Sequence, residues 1–336
     1  MTTKASHEDQ PSKSGLSLER SDVLFFIDNG PVAQAAIHHA QKVASAFHGK
    51  VVVVQVLCKP TNLSGPIDPV DWSIKKQQTV NRLELLTKKA KDAAHPCSIE
   101  LLEGQCIGQI KAFMEHRQGD IAASPRSRSD MGWHSSETAW GVLMSKSAAV
   151  LMIPDDAIIE PNTPYRRILV PLDGSSRAEA ALPKAIFLAR AESAELMLCY
   201  VAPDPGLTAF GAKDQEAERL HVLVKKRNEQ AGKTYLAQIR KKLEQNGLKI
   251  AVRLSSDGDA RRALIKIVSQ EAVDFVVMAT HGQSGHNDVP TGDVARFILD
   301  KADVPVLLLR YRNGREKNHS FGKVVSTGIR LPVGTD

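Results

Sequence analysis

The sequence is short of several things at once. Aromatic residues make up 5% of its 336 positions, and it has four cysteines, Cys58, Cys97, Cys106 and Cys199. None of the four falls in a CxxC pair or at metal-binding spacing, so neither a disulfide framework nor a zinc module is expected and no metal site is assigned. No apolar run approaches the roughly 20 residues that cross a bilayer, so no membrane partner is expected. Residues 1–20 lack the apolar core of a secretion signal and read as a disordered tail, which makes the cytoplasm the expected compartment. Charge of one sign is not concentrated. The net charge is +6, but the basic runs Lys88-Lys89, Lys225-Lys226-Arg227 and Arg240-Lys241-Lys242 lie on polar faces of expected helices, so nucleic acid is not an expected partner. Two phosphate-binding signatures are also missing: there is no GxxxxGK[ST] and no G-x-G-x-x-G.

What is present repeats itself. A chain of this length divides naturally into two cores. Residues 23–37 read VLFFIDNGPVAQAAI and residues 168–182 read ILVPLDGSSRAEAAL. At an offset of 145, Leu24 meets Leu169, Asp28 meets Asp173 and Ala35-Ala36 meet Ala180-Ala181. Each half continues through an apolar strand (51–57 and the run ending at Val201), a loop (59–75 and 203–218) and a long charged helix (76–94 and 216–246). A short strand (98–102 and 249–254) and a helix (107–117 and 260–270) follow. Two further strands, 120–123 and 149–153 against 274–278 and 305–309, close each half. Near-continuous apolar strands alternating with helices indicate α/β architecture: two tandem, doubly wound, five-stranded parallel sheets, Rossmann-like and related by a pseudo-twofold. The expected domains are 21–155 and 166–311, with a linker at 156–165 and a basic tail at 312–336.

In a doubly wound sheet a ligand sits at the carboxyl ends of the strands beside the switch point. Asp173 and the loop 279–293 therefore share one crevice. Gly282, Gly285 and Gly292 stand in that loop. They are either turn glycines or positions where backbone must approach an anion closely. The start of the helix near Val294 points N–H groups and a positive dipole end into the same space.

In combination, Leu172-Asp173-Gly174-Ser175, Met278-Ala279-Thr280-His281-Gly282 and Val304-Pro305-Val306-Leu307 resemble the tandem universal stress protein family, over residues 20–311. The family's loop pattern is G-x2-G-x9-G-[S/T]; here it reads Ala279-x2-Gly282-x9-Gly292-Asp293. The resemblance implies the adenine-nucleotide alpha-hydrolase-like fold and ATP or a related adenine nucleotide as ligand; Mg enters only where a divalent cation bridges the site to phosphate. Asp173 and Val201 would lie near base and ribose, with Pro171 and Leu172 beside them. Met278, Ala279, His281, Gly282, Gly292, Asp293 and Val294 would line the phosphates. It also implies pairing of the two domains through their last strands within one chain, with further homodimerisation left open.

Two departures bear on that ligand. Ala279 replaces the first glycine with a small Cβ. Asp293 replaces a Ser or Thr hydroxyl with a carboxylate, which accepts and cannot donate. Against a phosphate at about 4 Å its repulsion is on the order of 4 kcal/mol at an effective dielectric near 20, several hundredfold or more in affinity. Either Asp293 caps its own helix and no cofactor is bound, or a divalent cation bridges it, with Asp173, to phosphate.

In the first half, counting back from the last strand sets Arg126 against Gly282, Ser136 against Gly292 and Glu137 against Asp293. The glycines are gone. Arg126 and Arg128 are the side chains left to contact a phosphate; the alternative is a half kept for structure. Leu143-Met144-Ser145-Lys146-Ser147 resembles the KMSKS signature of aminoacyl-tRNA synthetases, but no partner motif precedes it. Leu172-Asp173-Gly174-Ser175-Ser176 faintly resembles the ATP pyrophosphatase loop, which makes an ATP-using adenylating enzyme the enzymatic rival. The reading adopted is a cytosolic stress-response protein that binds rather than turns over a ligand, with no catalytic residues assigned and a weakened adenine-nucleotide site in its second domain. A nucleotide-free module for an unidentified protein partner, contacted through the basic tail and the loops 59–75 and 203–218, is the other alternative.

Overall fold

The computed structural model describes residues 20–28, 34–58, 68–90, 97–117, 119–126, 136–145, 147–157, 159, 163–205, 215–245, 247–282 and 291–310. The expected tails, except Arg20, and the loop centre at 283–290 lie outside the described residues.

The first half runs β1 (Val23–Ile27), α1 (Gln34–Ala46), β2 (Val51–Leu57), α2 (Pro69–Ala90), β3 (Cys97–Glu103), α3 (Cys106–Glu115), β4 (Ile121–Arg126), α4 (Glu137–Met144) and β5 (Ala149–Pro154). The second half runs β6 (Arg167–Leu172), α5 (Ser176–Glu179), α6 (Leu182–Glu192), β7 (Glu195–Pro203), α7 (Gln215–Glu244), β8 (Ile250–Gly258), α8 (Ala260–Gln270), β9 (Phe275–Ala279), α9 (Asp293–Lys301) and β10 (Val306–Leu309). All strands join one sheet in the order β3-β2-β1-β4-β5-β10-β9-β6-β7-β8. Pairing is parallel except where the last strands of the halves meet, β5 against β10, with Met152 opposite Val306 and Ala149 opposite Leu309. The order inside each half reverses between β1 and β4 and between β6 and β9, and that reversal opens the crevice at the strand ends.

Strand side chains alternate between two apolar layers. Val23, Phe25 and Ile27 face one layer with Ile37 of α1, Leu83 of α2, Ile186 of α6 and Leu236 of α7. Leu24 and Phe26 face the other with Ile110 of α3, Val142 of α4, Leu264 of α8 and Ile298 of α9. Both layers run through both halves, so the halves share one core. The outer strands β3 and β8 are the least buried, as edges covered on fewer sides should be.

Two sequence expectations are corrected. The helix expected from 76 begins at Pro69, because Asp68 accepts from the N–H of Val70 at 2.8 Å and proline suits a first helical position. Loop 59–75 is shorter accordingly. Tyr165, the last residue of the expected linker, is a core residue: 2% exposed, it meets His39 Nδ1 through its hydroxyl at 2.6 Å and packs on Phe275 with ring centroids 5.0 Å apart.

Candidate functional site

The crevice of the second half is built on a clash that glycine avoids. Asp173 follows β6, and its Oδ1 accepts from the Ser175 backbone N–H at 3.0 Å and the Ser175 hydroxyl at 2.6 Å. Gly174 makes this turn at φ +84°, a left-handed conformation that suits glycine. The Ser175 hydroxyl in turn caps α5 by accepting from Ala178 N–H at 3.1 Å. So fixed, Asp173 turns Oδ2 toward Gly282, where a Cβ would lie 2.2 Å from that oxygen. Gly282 is therefore a close-approach glycine, and what approaches it is Asp173 itself.

Gly292 completes the opposite wall. Its N–H donates to the carbonyl of Thr280 at 2.7 Å, which draws the start of α9 against the end of β9. His281 meets the Thr280 hydroxyl through Nδ1 at 3.1 Å. Met278 and Ala279 are buried at the end of β9, and Leu172 is buried in β6. Pro171, Val201 and Val294 are half-buried. Tyr200 pairs with Leu172 in register, so Val201 comes next along β7, beside the Asp173 turn. Asp173, Val201, Gly282, Gly292 and Asp293 are thus gathered around the strand ends at the switch point.

Of the two alternatives for Asp293, the side-chain cap is not made. Gly292 holds the cap position and contributes no side-chain bond; Asp293 is the first helical residue, exposed, with no capping bond among the described residues. Its charge adds a small part to the effect of Asp259, which through a hydrogen bond and its charge raises the pKa of the Arg261 guanidinium of α8.

Two tyrosines that no sequence motif marks lie next to the crevice. Tyr235 of α7 donates to Glu179 Oε1 at 3.0 Å, and its ring meets Tyr200 edge-on at 6.1 Å. Burial, then the carboxylates of Glu179 and Asp173, push the Tyr235 hydroxyl above its ordinary range; burial and Asp173 do the same to Tyr200. Both hydroxyls stay neutral donors. Burial also pushes the Cys199 thiol up to about 12, which removes it as a nucleophile.

The first half builds its crevice differently. Ser136 and Glu137 hold the cap and first positions of α4, as Gly292 and Asp293 do in α9. The Ser136 hydroxyl accepts from Ala139 N–H at 2.9 Å and donates to Asp28 Oδ2 at 2.8 Å. Arg126 is not the counterpart of Gly282. Strand register places Ile121 beside Val23 and Phe275 beside Ile168, which sets Arg126 level with Thr280. The following loop is two residues shorter than in the second half, and counting from the last strand hides this. Nor does Arg126 face a phosphate: it is 1% exposed and donates to the carbonyls of Leu299 and Ala302, each at 2.5 Å, and of Val304 at 3.2 Å. Arg128 lies outside the described residues. Arg310 answers from the other half by donating to the carbonyls of Leu143 and Ser145. The segment that resembles KMSKS is thus, at Leu143 and Ser145, the end of a helix held by an arginine.

Cys58, Cys106 and Glu137, which show no metal-binding spacing along the chain, have their donor atoms within 4.8 Å of one another at this crevice. The signal available was positional: one thiol just after the second strand, one opening the third helix, both at the ligand end of the sheet.

Comparison with known proteins separates the halves. The model of the Universal stress protein family matches residues 164–310. One universal stress protein domain is found there. Universal stress protein MJ0531 of Methanocaldococcus jannaschii is 29% identical over 149 residues, 44% of this chain and 82% of that protein. Universal stress protein MJ0577 of the same organism is 25% identical over 158 residues, 44% of this chain and 97% of that protein. A solved universal stress protein from Archaeoglobus fulgidus DSM 4304 covers 89% of this chain and 99% of its own at TM-score 0.63 and 17% identity. A putative universal stress protein from Pseudomonas aeruginosa UCBPP-PA14 covers 87% and 94% at TM-score 0.56 and 14% identity. The family match stops at the second half; the first half shares the fold. No helix among the described residues is long and apolar enough to cross a membrane.

Proposed function

We propose that this protein is a tandem universal stress protein acting in the cytosolic stress response, and that its second domain binds an adenine nucleotide weakly without turning it over. The carrying observation is the crevice wall itself. Gly282 is stripped to backbone against Asp173, and α9 starts at a glycine whose cap position makes no side-chain bond. Backbone N–H groups at such a start favour an anion. Asp173 and Val201 sit at the adjoining strand ends, where ribose and base would lie. Asp293, one residue inside the helix, opposes the phosphates by charge, and Mg relieves that opposition if it bridges the carboxylate to phosphate.

The test is a calorimetric titration of ATP into the full chain, with and without Mg, beside Asp293→Ser. The expected result is binding weaker than micromolar without Mg, tightened tenfold or more by the substitution. ATP consumption with transfer to an acceptor would replace this reading with the adenylating enzyme. Absence of binding in both proteins would sink it in favour of a nucleotide-free interaction module. One observation favours that second reading: α7 exposes Leu220, Val222 and Leu223, each at least half accessible, near its start.

A further inference from the structure

We propose that Cys58, Cys106 and Glu137 form a binding site for one thiophilic divalent cation of the zinc class. The site lies in the first half, at the strand ends where the second half has its Asp173 crevice, and does not depend on nucleotide binding. Cys58 follows β2, Cys106 opens α3 and Glu137 opens α4. At the corresponding places the second half has Pro203 of β7, Ala260 opening α8 and Asp293 opening α9. Both thiols are therefore peculiar to the first half, and the fold brings them to one point from three separate elements.

The donor atoms lie within 4.8 Å of one another. Around zinc, with Zn–S near 2.3 Å and Zn–O near 2.1 Å, tetrahedral neighbours stand roughly 3.5–3.8 Å apart. Closing the set requires the atoms to draw in by at most about 1 Å, which takes side-chain rotation at both half-buried Cys58 and exposed Glu137. Two sulfur donors select against magnesium and calcium, which take oxygen, and in favour of zinc-class ions. Cys106 is buried, Cys58 half-buried and Glu137 exposed, so the site has a dry floor and an open side through which an ion can enter. Supporting groups are present: the Thr138 hydroxyl lies 3.5 Å from Cys106 Sγ, and Ser136, beside Glu137, holds Asp28. With three protein ligands the fourth position belongs to water, the arrangement of an open rather than a closed site. Binding converts two thiols to thiolates, so each ion taken up by Cys58, Cys106 and the ionised Glu137 releases two protons.

The experiment uses the reduced, metal-stripped, tag-free full chain. Zinc is titrated against a chromophoric chelator, and cobalt is added separately to reveal thiolate-to-metal charge-transfer absorption. One ion per chain is expected, with about two protons released per ion in calorimetry across buffers of different ionisation enthalpy. Cys58→Ser and Cys106→Ser should each weaken binding on the order of a hundredfold and abolish the cobalt band, and Glu137→Gln about tenfold. Cys97→Ser and Cys199→Ser should leave affinity unchanged. Cys58, half-buried, provides the variant that keeps its fold if Cys106→Ser does not, as thermal melts will report. Failure to bind zinc, binding indifferent to both cysteine substitutions, or a Cys58–Cys106 disulfide in metal-free protein as purified would each overturn the proposal.

Discussion

Gly282 has no side chain because Asp173 stands where one would be. Gly282→Ala should turn the Asp173 carboxylate aside, at the expense of its hydrogen bonds to Ser175, and destabilise the fold by about 1 kcal/mol in a denaturant titration. Adding Asp173→Ala should recover part of that loss; independent, additive losses would show that the contact is not the cause. The glycine spacing was legible as a close-approach pattern, but not what approaches. Whether Asp293 caps its helix was open in the sequence for a simpler reason: cap and first position differ by one residue, less than sequence patterns resolve at a helix start. His39 yields a second expectation at this scale. Burial, reinforced by Lys42 and His38, brings its pKa down to about 4. The unfolded chain takes up that proton near 6.5, so the contribution of neutral His39 is intact above 6.5, falls as the pH drops and is lost below about 4. The loss approaches about 3 kcal/mol. Denaturant titrations between pH 7 and 4 should show a shallower decline for His39→Gln than for the unsubstituted chain.

The helix ends of the two halves are tied across the junction. Arg126 satisfies carbonyls at the end of α9, and Arg310 does so at the end of α4. These are the negative ends of helix dipoles, where a cation is favoured. Arg126→Met should leave three carbonyls without their donor and cost about 3 kcal/mol, measured as a fall in the unfolding midpoint; a change below about 0.5 kcal/mol would mean that water replaces the guanidinium. The strands and most helices were legible from apolar runs and their spacing. Helix α2 was read short because its amphipathic pattern is poor at the start, where Val70 and Ile74 are exposed, although Asp68-Pro69 marked the true beginning. The role of Arg126 was not legible, since its partners lie more than 170 positions away. The spacing of Cys58 and Cys106 likewise gave no metal site: their proximity is a property of sheet order, not of separation along the chain.

One sheet and two apolar layers run the length of the molecule, so the halves should not unfold separately. Calorimetry is expected to show a single transition, and Leu307→Lys at the β5–β10 seam, where Leu307 is fully buried opposite Leu151, should lower stability throughout. Two resolved transitions, only one of them moved by the substitution, would show that the seam does not couple the halves. The antiparallel seam has a further consequence. In a symmetric pair of identical half-size chains, any substitution appears in both crevices at once. Here each crevice has its own codons. One can exchange glycine and proline for serine and cysteine while the other keeps its glycines, and the partner surface that both need is inherited intact. Covalent fusion thus gives the protein two independently variable pockets in a fixed one-to-one ratio, which no change in concentration or partner supply can alter.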